Sequence, residues 1–245
     1  MHRFFADTAQ IDDNTIRLAS EDARHAVTVL RLKKGSHIEL IMDRKRWEAE
    51  ITDAAGHEVC VRLISELPTT EPSLSVTLFQ GLPKSDKMDW IVQKATELGV
   101  TRIVPVLMSR CVARPDPKDF SRRRDRWQKI VREAAKQSGR CIIPEITDLV
   151  ELQHLSCFPA FPETSIVPWE EADGFGPLAF RKTHPELSSL GILIGPEGGI
   201  DAQEITVLRS SGFIPVTLGK RILRTETAGL AAVAAFMSLY GEMES

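Results

Sequence analysis

ILIGPEGGI, residues 192–200, and FIPVTLGKRILRTETAGL, residues 213–230, are the two stretches that decide the fold. Two hydrophobic runs, 190–194 and 213–218, have the length and β-branched content of buried strands, and each stops at a glycine. Strands that end in such loops predict a ligand pocket at their ends. The alternative to a ligand pocket is that both loops are ordinary connections between a strand and a helix, because glycine and proline occur in loops of every kind.

The two loops differ in character. The first has a backbone that is free to approach a ligand, with one fixed φ angle, through Gly195, Gly198, Gly199 and Pro196. An Asp201/Glu204 pair then predicts a capped helix directly after it. The second loop is basic around an apolar pair, with Lys220, Arg221, Arg224, Ile222 and Leu223. The first loop therefore offers backbone groups, and the second offers apolar walls and cations.

Length and composition limit the class of protein. With 245 residues, 42% of them hydrophobic, the chain suits one large domain or two modest ones. The start, MHRFF, does not have the pattern of a leader peptide, and no apolar run approaches the roughly 20 residues of a membrane helix. We therefore expect a cytoplasmic protein without a membrane segment. The four cysteines form no C-x-x-C pair, so neither a metal site nor a disulfide framework is predicted.

Charge is unevenly distributed along the chain. The net charge is only −3, but residues 71–140 hold 15 Lys and Arg against 8 Asp and Glu. This middle third is where a polyanionic partner is expected to bind. Much of its positive charge lies on one face of a predicted helix, 119–138, whose other face is apolar. A solvated helix face is the alternative interpretation.

The first third predicts a small β-barrel. A capped helix is expected to start at Ser20 and end near Gly35. Strand-like runs at 37–42, 47–52 and 59–64 follow, separated by tight turns. The segment 68–72 has the composition of a linker and predicts a domain boundary.

From Leu74 the pattern changes to strand, helix and strand, at 74–80, 85–98 and 102–107. A βαβ unit predicts a parallel sheet and an α/β domain. The last helix, 227–240, is almost wholly apolar, so we expect it to be buried on every side, including against a second subunit. The predicted domains are therefore 1–70 and 74–245.

The motifs are specific enough to resemble a known family. IGPEGG and LGKRILRTETA, near the carboxyl end, resemble the SPOUT class of knotted methyltransferases. The whole chain is similar to the RsmE family, through MHRFF, HAVTVLRLKKG, KSDKMDWIVQKATELGV and both later motifs. That family methylates N3 of a uridine in 16S ribosomal RNA of the small subunit.

The resemblance implies a fold and its partners. Residues 1–70 would form a PUA-like RNA-binding β-barrel, and residues 74–245 a SPOUT domain whose parallel sheet contains a trefoil knot. The methyl donor would be S-adenosylmethionine, the partner would be 16S ribosomal RNA, and the assembly would be a homodimer. Two alternatives stay open: another SPOUT RNA methyltransferase that acts on the ribose 2′-oxygen, or a noncatalytic RNA-binding assembly factor.

The resemblance also implies site residues. The cofactor would be bound by Ile194, Gly195, Pro196, Glu197, Gly198, Gly199, Leu218, Gly219, Ile222 and Leu223, with 168–170 as a weaker candidate for a third loop. Arg224 is the expected catalytic residue, because a guanidinium would stabilise negative charge on the uracil carbonyls. Glu226 is expected to orient Arg224, and a role as general base is the less favoured alternative. The predicted RNA contacts are Arg3, His25, Arg31, Lys33, Lys34, Lys84, Lys87, Arg122, Arg123 and Arg126.

Overall fold

The computed structural model describes residues 1–6, 11–12, 15–55, 58–84, 86–159 and 161–244. They form two compact units. The first comprises residues 1–71 and 135–142, and the second comprises residues 72–134 and 143–245. The sequence predicts a linear division between 1–70 and 74–245, whereas the units are discontinuous. The predicted turn at residues 54–57 and the start of the predicted helix at Ser85 lie partly outside the described residues.

The first unit is built on a six-stranded sheet. Its elements are β1 (Arg3–Phe5), β2 (Ile11–Asp12), β3 (Thr15–Arg17), α1 (Ser20–Arg24), β4 (His37–Met42), β5 (Lys45–Ala55) and β6 (Glu58–Leu67). The strand order is β1-β4-β5-β6-β3-β2, and only the β1–β4 pair is parallel. The three predicted strand runs are confirmed as β4, β5 and β6. The alternation in β5 buries Ala49 and Ile51 completely, as one buried sheet face requires.

The predicted helix from Ser20 to Gly35 is wrong in its length. α1 ends at Arg24, a π-helical turn covers His25–Val29, and Arg31 has a φ of 54° in the left-handed region. The run Val27-Thr28-Val29 is β-branched, and such residues are poor at sustaining an α-helix. The helical segment therefore stops well before the glycine.

Residues of the predicted linker are anchored within the first unit. Glu71 is ion-paired with Arg140, with 2.7 Å between Oε2 and Nη2, and the Arg140 side chain is only 4% exposed. Glu71 also accepts hydrogen bonds from the amides of Cys141 and Ile142. A carboxylate with this many donors is strongly held. This explains why residues 135–142 are part of the first unit.

The second unit is built on a parallel sheet. Its strands are β7 (Ser75–Gly81), β8 (Arg102–Leu107), β9 (Glu145–Ile146), β10 (Val150–Glu151), β11 (Thr164–Pro168), β12 (Ser189–Ile194) and β13 (Phe213–Val216). Its helices are α2 (Lys87–Glu97), α3 (Pro117–Ser138), α4 (Pro177–Thr183), α5 (Ala202–Ser210) and α6 (Thr225–Leu239), with a 3₁₀ turn at Leu152–Cys157. The order is β10-β8-β7-β12-β11-β13, with β9 also on β8. The predicted α/β fold with a parallel sheet is confirmed.

The strand order decides which loops meet. β11 lies between β12 and β13 and pairs with both in parallel. The segments that follow these three strands therefore emerge at one edge of the sheet. Beyond that edge the amide of Trp169 donates to the carbonyl of Val216 at 3.0 Å. The sequence predicts all three strands, at residues 164–167, 190–194 and 213–218, but not their order in the sheet.

The last helix is buried on one side only. Ala232, Val233, Phe236 and Met237 are at most 1% exposed and pack in the core of the second unit. The other face is half-buried, and its members are Ala228, Leu230, Ala231, Ala234 and Ala235. The sequence predicts burial on every side of this helix. Within this chain the expectation is met on one face only. None of the helices in the described ranges has the length and apolar character needed to cross a membrane.

Candidate functional site

A cavity of about 500 Å³ opens at the carboxyl edge of the parallel sheet. Its walls come from the loop after β12 (194–200), the residues after β11 (168–170) and the segment that leads into α6 (222–225). Lys87 from α2 and Ala228 from α6 complete the lining. Three segments that are far apart in the chain therefore meet at one site.

Eight of the predicted cofactor residues, Ile194 to Gly199 with Ile222 and Leu223, line this cavity. The remaining two, Leu218 and Gly219, line an adjoining cavity of about 470 Å³. The two cavities share walls at Pro168, Trp169, Glu170, Ile222, Leu223 and Ala228. The structure thus brings the whole predicted set together, and it places the weaker candidate loop, 168–170, in the walls of both cavities.

The glycine loop is a tight turn fixed at both ends. The amide of Gly199 donates to the carbonyl of Pro196 at 3.0 Å, and Gly199 has a φ of +73°. A non-glycine residue is strained at that angle. Arg110 donates from Nη1 to the carbonyl of Gly198 at 2.9 Å. The loop is therefore held in place before any ligand arrives.

The start of α5 closes the loop from the other side. The Asp201 side chain accepts from the amides of Gln203 and Glu204, and the Glu204 carboxylate accepts from the amide of Asp201. This reciprocal pair is the predicted capping box, and it is confirmed. Glu204 also accepts a 2.7 Å hydrogen bond from the amide of Ser109. The helix start is thus tied to the segment after β8.

Arg224 lies at the mouth of the second loop and lines the cavity. Its side chain has no hydrogen bond or ion pair to any other residue in the described part of the chain. Glu226, predicted to orient it, is ion-paired with Lys87, with 3.0 Å between Oε2 and Nζ, and the charge of Arg224 helps to lower the pKa of Glu226. Arg224 is therefore an exposed cation that is available to a ligand.

The carboxylates near the cavity are held in their charged form. For Glu197, burial raises the pKa, but the amides of Glu197 and Lys84 and the Lys87 ammonium lower it below its ordinary value. For Glu226, its own backbone amide lowers the pKa, burial opposes this, and Lys87 lowers it further. Both carboxylates are consequently weak proton acceptors at neutral pH.

A second cavity, of about 580 Å³, has basic walls in the same unit. Lys84, Arg122, Arg123 and Arg126 line it beside Trp127 and Val112. Arg126 is ion-paired with Asp89 at 2.8 Å, and Arg122 is paired more loosely with Asp119 at 3.5 Å. Arg123 and the Lys84 side chain make no ion pair with any residue of the described segments. The predicted basic face is therefore only partly neutralised.

The predicted RNA contacts in the first unit divide into two kinds. His25, Arg31, Lys33 and Lys34 are exposed. Arg3 is not, because its guanidinium is ion-paired with Glu39 at 2.7 Å and its side chain is 17% exposed. It also donates from Nη1 to the carbonyl of Lys136 at 2.6 Å. Arg3 thus joins parts of the first unit and is not presented to solvent.

Sequence reasoning missed several residues of the site. Arg110 clamps the glycine loop, and Ala228 lines both cavities. Lys87 and Lys84 flank the same loop, and both are predicted to contact RNA. The two side chains nevertheless line different cavities. Nothing in the sequence distinguishes a lysine that lines the first cavity from one that lines the basic cavity.

No cluster of three or more His, Cys, Asp or Glu side chains suited to a metal ion occurs among the residues described above.

Two family models match the chain. An RNA methyltransferase domain matches residues 70–237, and an RNA methyltransferase PUA domain matches residues 18–64. The first of these covers more than half of the chain and includes every segment that lines the two cavities at the carboxyl edge of the sheet.

Individual relatives match over nearly the full length. Ribosomal RNA small subunit methyltransferase E of Bacillus subtilis (strain 168) is 34% identical, over 96% of this chain and 95% of the relative. The protein of the same name from Aquifex aeolicus is 31% identical, over 97% and 100%. A crystal structure of a Neisseria gonorrhoeae protein of that name, bound to S-adenosyl methionine, has a TM-score of 0.84, 34% identity and 98% coverage of both chains.

Proposed function

The chain belongs to the family of ribosomal RNA small subunit methyltransferase E proteins, and from this premise we propose that it transfers a methyl group from S-adenosylmethionine to N3 of a specific uridine in 16S ribosomal RNA. The observation that carries the proposal is the cavity where both carboxyl-terminal motifs meet, with an unpaired Arg224 in its wall. The identity of about one third with named relatives supports the same reaction.

The cavity fits the proposed cofactor. About 500 Å³ is a usual volume for a small-molecule site. Ile194, Ile222 and Leu223 supply apolar walls for an adenine ring, and the glycine loop supplies close backbone groups. S-adenosylmethionine would supply an electrophilic methyl group on a positively charged sulfur. Ile222 is 86% exposed, so an apolar side chain in the wall is without cover in the free chain.

The chain's own residues would position the uracil and stabilise its charge. N3 of uridine must lose its proton before its electron pair can form the bond to the methyl carbon. The C–S bond pair then returns to sulfur, which becomes a neutral thioether. Since Glu197 and Glu226 have lowered pKa values, we infer that the proton leaves to solvent water. Arg224 would stabilise the anion that remains on the ring.

We further propose that RNA lies across the basic cavity. A guanidinium binds phosphate in a bidentate manner, and Arg122 and Arg123 are available for such contacts. Lys84 is exposed in the same cavity, and Arg126 is the least available because of its pair with Asp89. In the first unit His25, Arg31, Lys33 and Lys34 remain the proposed contacts, on a PUA-like barrel.

The proposal extends to the finer features of the fold. A trefoil knot of the SPOUT type is supported by the path of the chain, which leaves β13 at the sheet edge and returns to the cavity beside β12, where α6 begins. A cytoplasmic location follows from the proposed ribosomal substrate.

A homodimer is supported by the half-buried apolar face of α6. Ala232 is fully buried within its own chain and cannot report on a subunit contact, so Ala235 is the position to change. Ala235→Arg should give monomers with a native circular dichroism spectrum, because an unpaired buried charge is costly. Sedimentation at micromolar concentration measures this, and a monomeric wild type would refute the dimer.

The reaction is tested by mapping the methylated atom. Small subunits from a strain lacking the protein, incubated with the purified protein and S-adenosylmethionine, should gain one methyl group by mass spectrometry. A methyl group on N3 blocks Watson–Crick pairing and stops reverse transcriptase, whereas a methyl group on the ribose 2′-oxygen leaves the pairing edge free. Full read-through with methyl incorporation would favour the ribose enzyme. Calorimetry without any S-adenosylmethionine binding would favour a noncatalytic factor.

A further inference from the structure

The ammonium group of Lys87 lies in the wall of the cofactor cavity, between two carboxylates. Its Nζ is 3.2 Å from Oε1 of Glu197 in the glycine loop and 3.0 Å from Oε2 of Glu226 in the first turn of α6. Lys87 itself is in the first turn of α2. One side chain therefore joins three of the segments that build the site.

These contacts fix the charge of the lysine. The adjacent Glu226 carboxylate raises the pKa of Lys87, burial opposes this rise, and Glu197 adds to it. The carboxylate partners have lowered pKa values. Lys87 is thus a permanent cation at neutral pH and not a general base, and the other charged groups in the cavity wall are Glu170 and Arg224.

The ammonium has a donor to spare. It carries three N–H bonds and accepts none, and its ion pairs with two carboxylate oxygens engage at most two of them. No third partner for Lys87 occurs among the residues that the structure describes. The side chain is 33% exposed and lines the cavity. A ligand in the cavity can therefore accept the remaining hydrogen bond.

Resting on the proposed uridine methylation, we propose that Lys87 is a second catalytic cation, which donates its free N–H to one carbonyl oxygen of the target uracil while Arg224 faces the other. The two carbonyls of uracil flank N3 on either side. When N3 ionises, the negative charge spreads onto both oxygens. Two cations from different elements, α2 and the segment before α6, match that distribution.

The same arrangement selects uracil over cytosine. At position 4 uracil has an oxygen acceptor, whereas cytosine has an amino donor. An amino group that faces a guanidinium or an ammonium places N–H donors against N–H donors, and a site built to donate hydrogen bonds discriminates against such a base. A ribose hydroxyl does not carry the paired carbonyls that the two cations address. The pair of cations thus accounts for the choice of atom and of base.

The test compares Lys87→Met with Lys84→Met, two lysines that flank the same loop but line different cavities. Small subunits are reassembled on 16S ribosomal RNA transcribed with uridine or with 5-fluorouridine, whose N3 proton is more acidic because fluorine withdraws electrons. Lys87→Met should lower kcat by about 100-fold or more on uridine RNA, the usual loss for a transition-state donor. Lys84→Met should instead raise the KM for RNA. On 5-fluorouridine RNA the Lys87→Met defect should shrink at least about tenfold.

Two further variants separate charge from shape. Lys87→Arg keeps a cation and should retain more activity than Lys87→Met. Because Lys87→Met leaves two carboxylates close together, Lys87→Met with Glu226→Gln removes the added repulsion. This double variant should bind S-adenosylmethionine by calorimetry and still be rescued by 5-fluorouridine.

An equal defect of the Lys87 variants on both RNAs would overturn the proposal, because a merely structural lysine does not sense the acidity of N3. A fall in S-adenosylmethionine affinity that accounts for the whole loss of kcat/KM would overturn it as well. Failure of the proposed function looks different, since the wild type itself would then place no methyl group on N3 of either RNA.

Discussion

Thr225, the first residue of α6, donates its hydroxyl hydrogen to the carbonyl oxygen of Gly195 across 2.6 Å. The same hydroxyl accepts a 2.9 Å hydrogen bond from the side-chain amide of Gln80, at the end of β7. Gln80 is completely buried and Thr225 is 5% exposed. A single hydroxyl therefore fastens the last helix to the ends of two neighbouring strands, in the wall of the cavity at the carboxyl edge of the sheet.

Thr225→Val should weaken both the fold and the cofactor site. Valine keeps the shape of threonine but leaves the Gly195 carbonyl and one N–H of the Gln80 amide without partners, at about 1–3 kcal/mol for each buried group. Thr227→Val is the matched control, since Thr227 is exposed in the same helical turn and should change stability by less than about 0.5 kcal/mol. Urea unfolding measures both, and equal stabilities of the two variants would contradict the role of Thr225.

Gly199→Ala should weaken S-adenosylmethionine binding beyond its cost to stability. Its φ of +73° resembles the +88° of Gly212, and neither glycine has a heavy atom within 3.4 Å of the position that a Cβ would take. Both alanines should therefore cost a similar strain of about 1–2 kcal/mol. Of these two glycines only Gly199 lines the cavity. Calorimetry should therefore show a loss of S-adenosylmethionine affinity of about tenfold or more, about 1.4 kcal/mol, for Gly199→Ala and not for Gly212→Ala. A matching loss for Gly212→Ala would remove the loop from the site.

The parts of the fold that depend on local pattern could be predicted from the sequence. The capping pair Asp201 and Glu204 marks the start of α5, and the hydrophobic run at 190–194 marks β12. Strong local signals of this kind do not depend on the rest of the chain. The motif residues 194–199 and 222–223 reach one cavity because both follow strands of the same sheet edge.

The parts that depend on distant partners could not be predicted. Lys87 reads as a solvated lysine until Glu197 and Glu226, more than 100 positions later in the chain, are brought beside it. Arg140 likewise gives no hint of its pair with Glu71. Ion pairs between residues far apart in sequence have no periodicity, so only the folded chain reveals them.

Glu39 should make the first unit less stable at acidic pH. Burial raises its pKa, but the hydrogen bonds and charges of Arg3 and Arg46 bring it below the ordinary 4.5. A lowered pKa in the folded state gives stability that is present above the unfolded value and is lost as the pH falls through the folded one. The unfolding free energy should therefore drop as the pH decreases below about 4.5.

Glu39→Gln checks the origin of this loss. The variant should be about 3 kcal/mol less stable at neutral pH, because two arginines lose a largely buried partner, and its stability should change less below pH 4.5. Glu66→Gln is the control: its pair with Lys45 is about half exposed and should contribute at most about 1 kcal/mol. Identical acid profiles for the wild type and Glu39→Gln would contradict the assignment.

Arg122→Gln with Arg123→Gln should reduce RNA affinity and flatten its dependence on salt. Each phosphate contact that is lost removes about 0.7–0.9 from the slope of log K against log salt, so the double variant should lose roughly 1.4–1.8. Arg126 is left unchanged because its removal would take the cationic partner from Asp89 and leave that carboxylate, within the described part of the chain, with only the hydrogen bond from Trp127 Nε1. Lys118→Gln is the matched control on the same helix, since Lys118 is exposed, lies outside the basic cavity and has no ion-pair partner among the described residues. Titration of 16S ribosomal RNA at several salt concentrations measures the slopes; a double variant with the slope of the wild type would show that this face of α3 is only solvated.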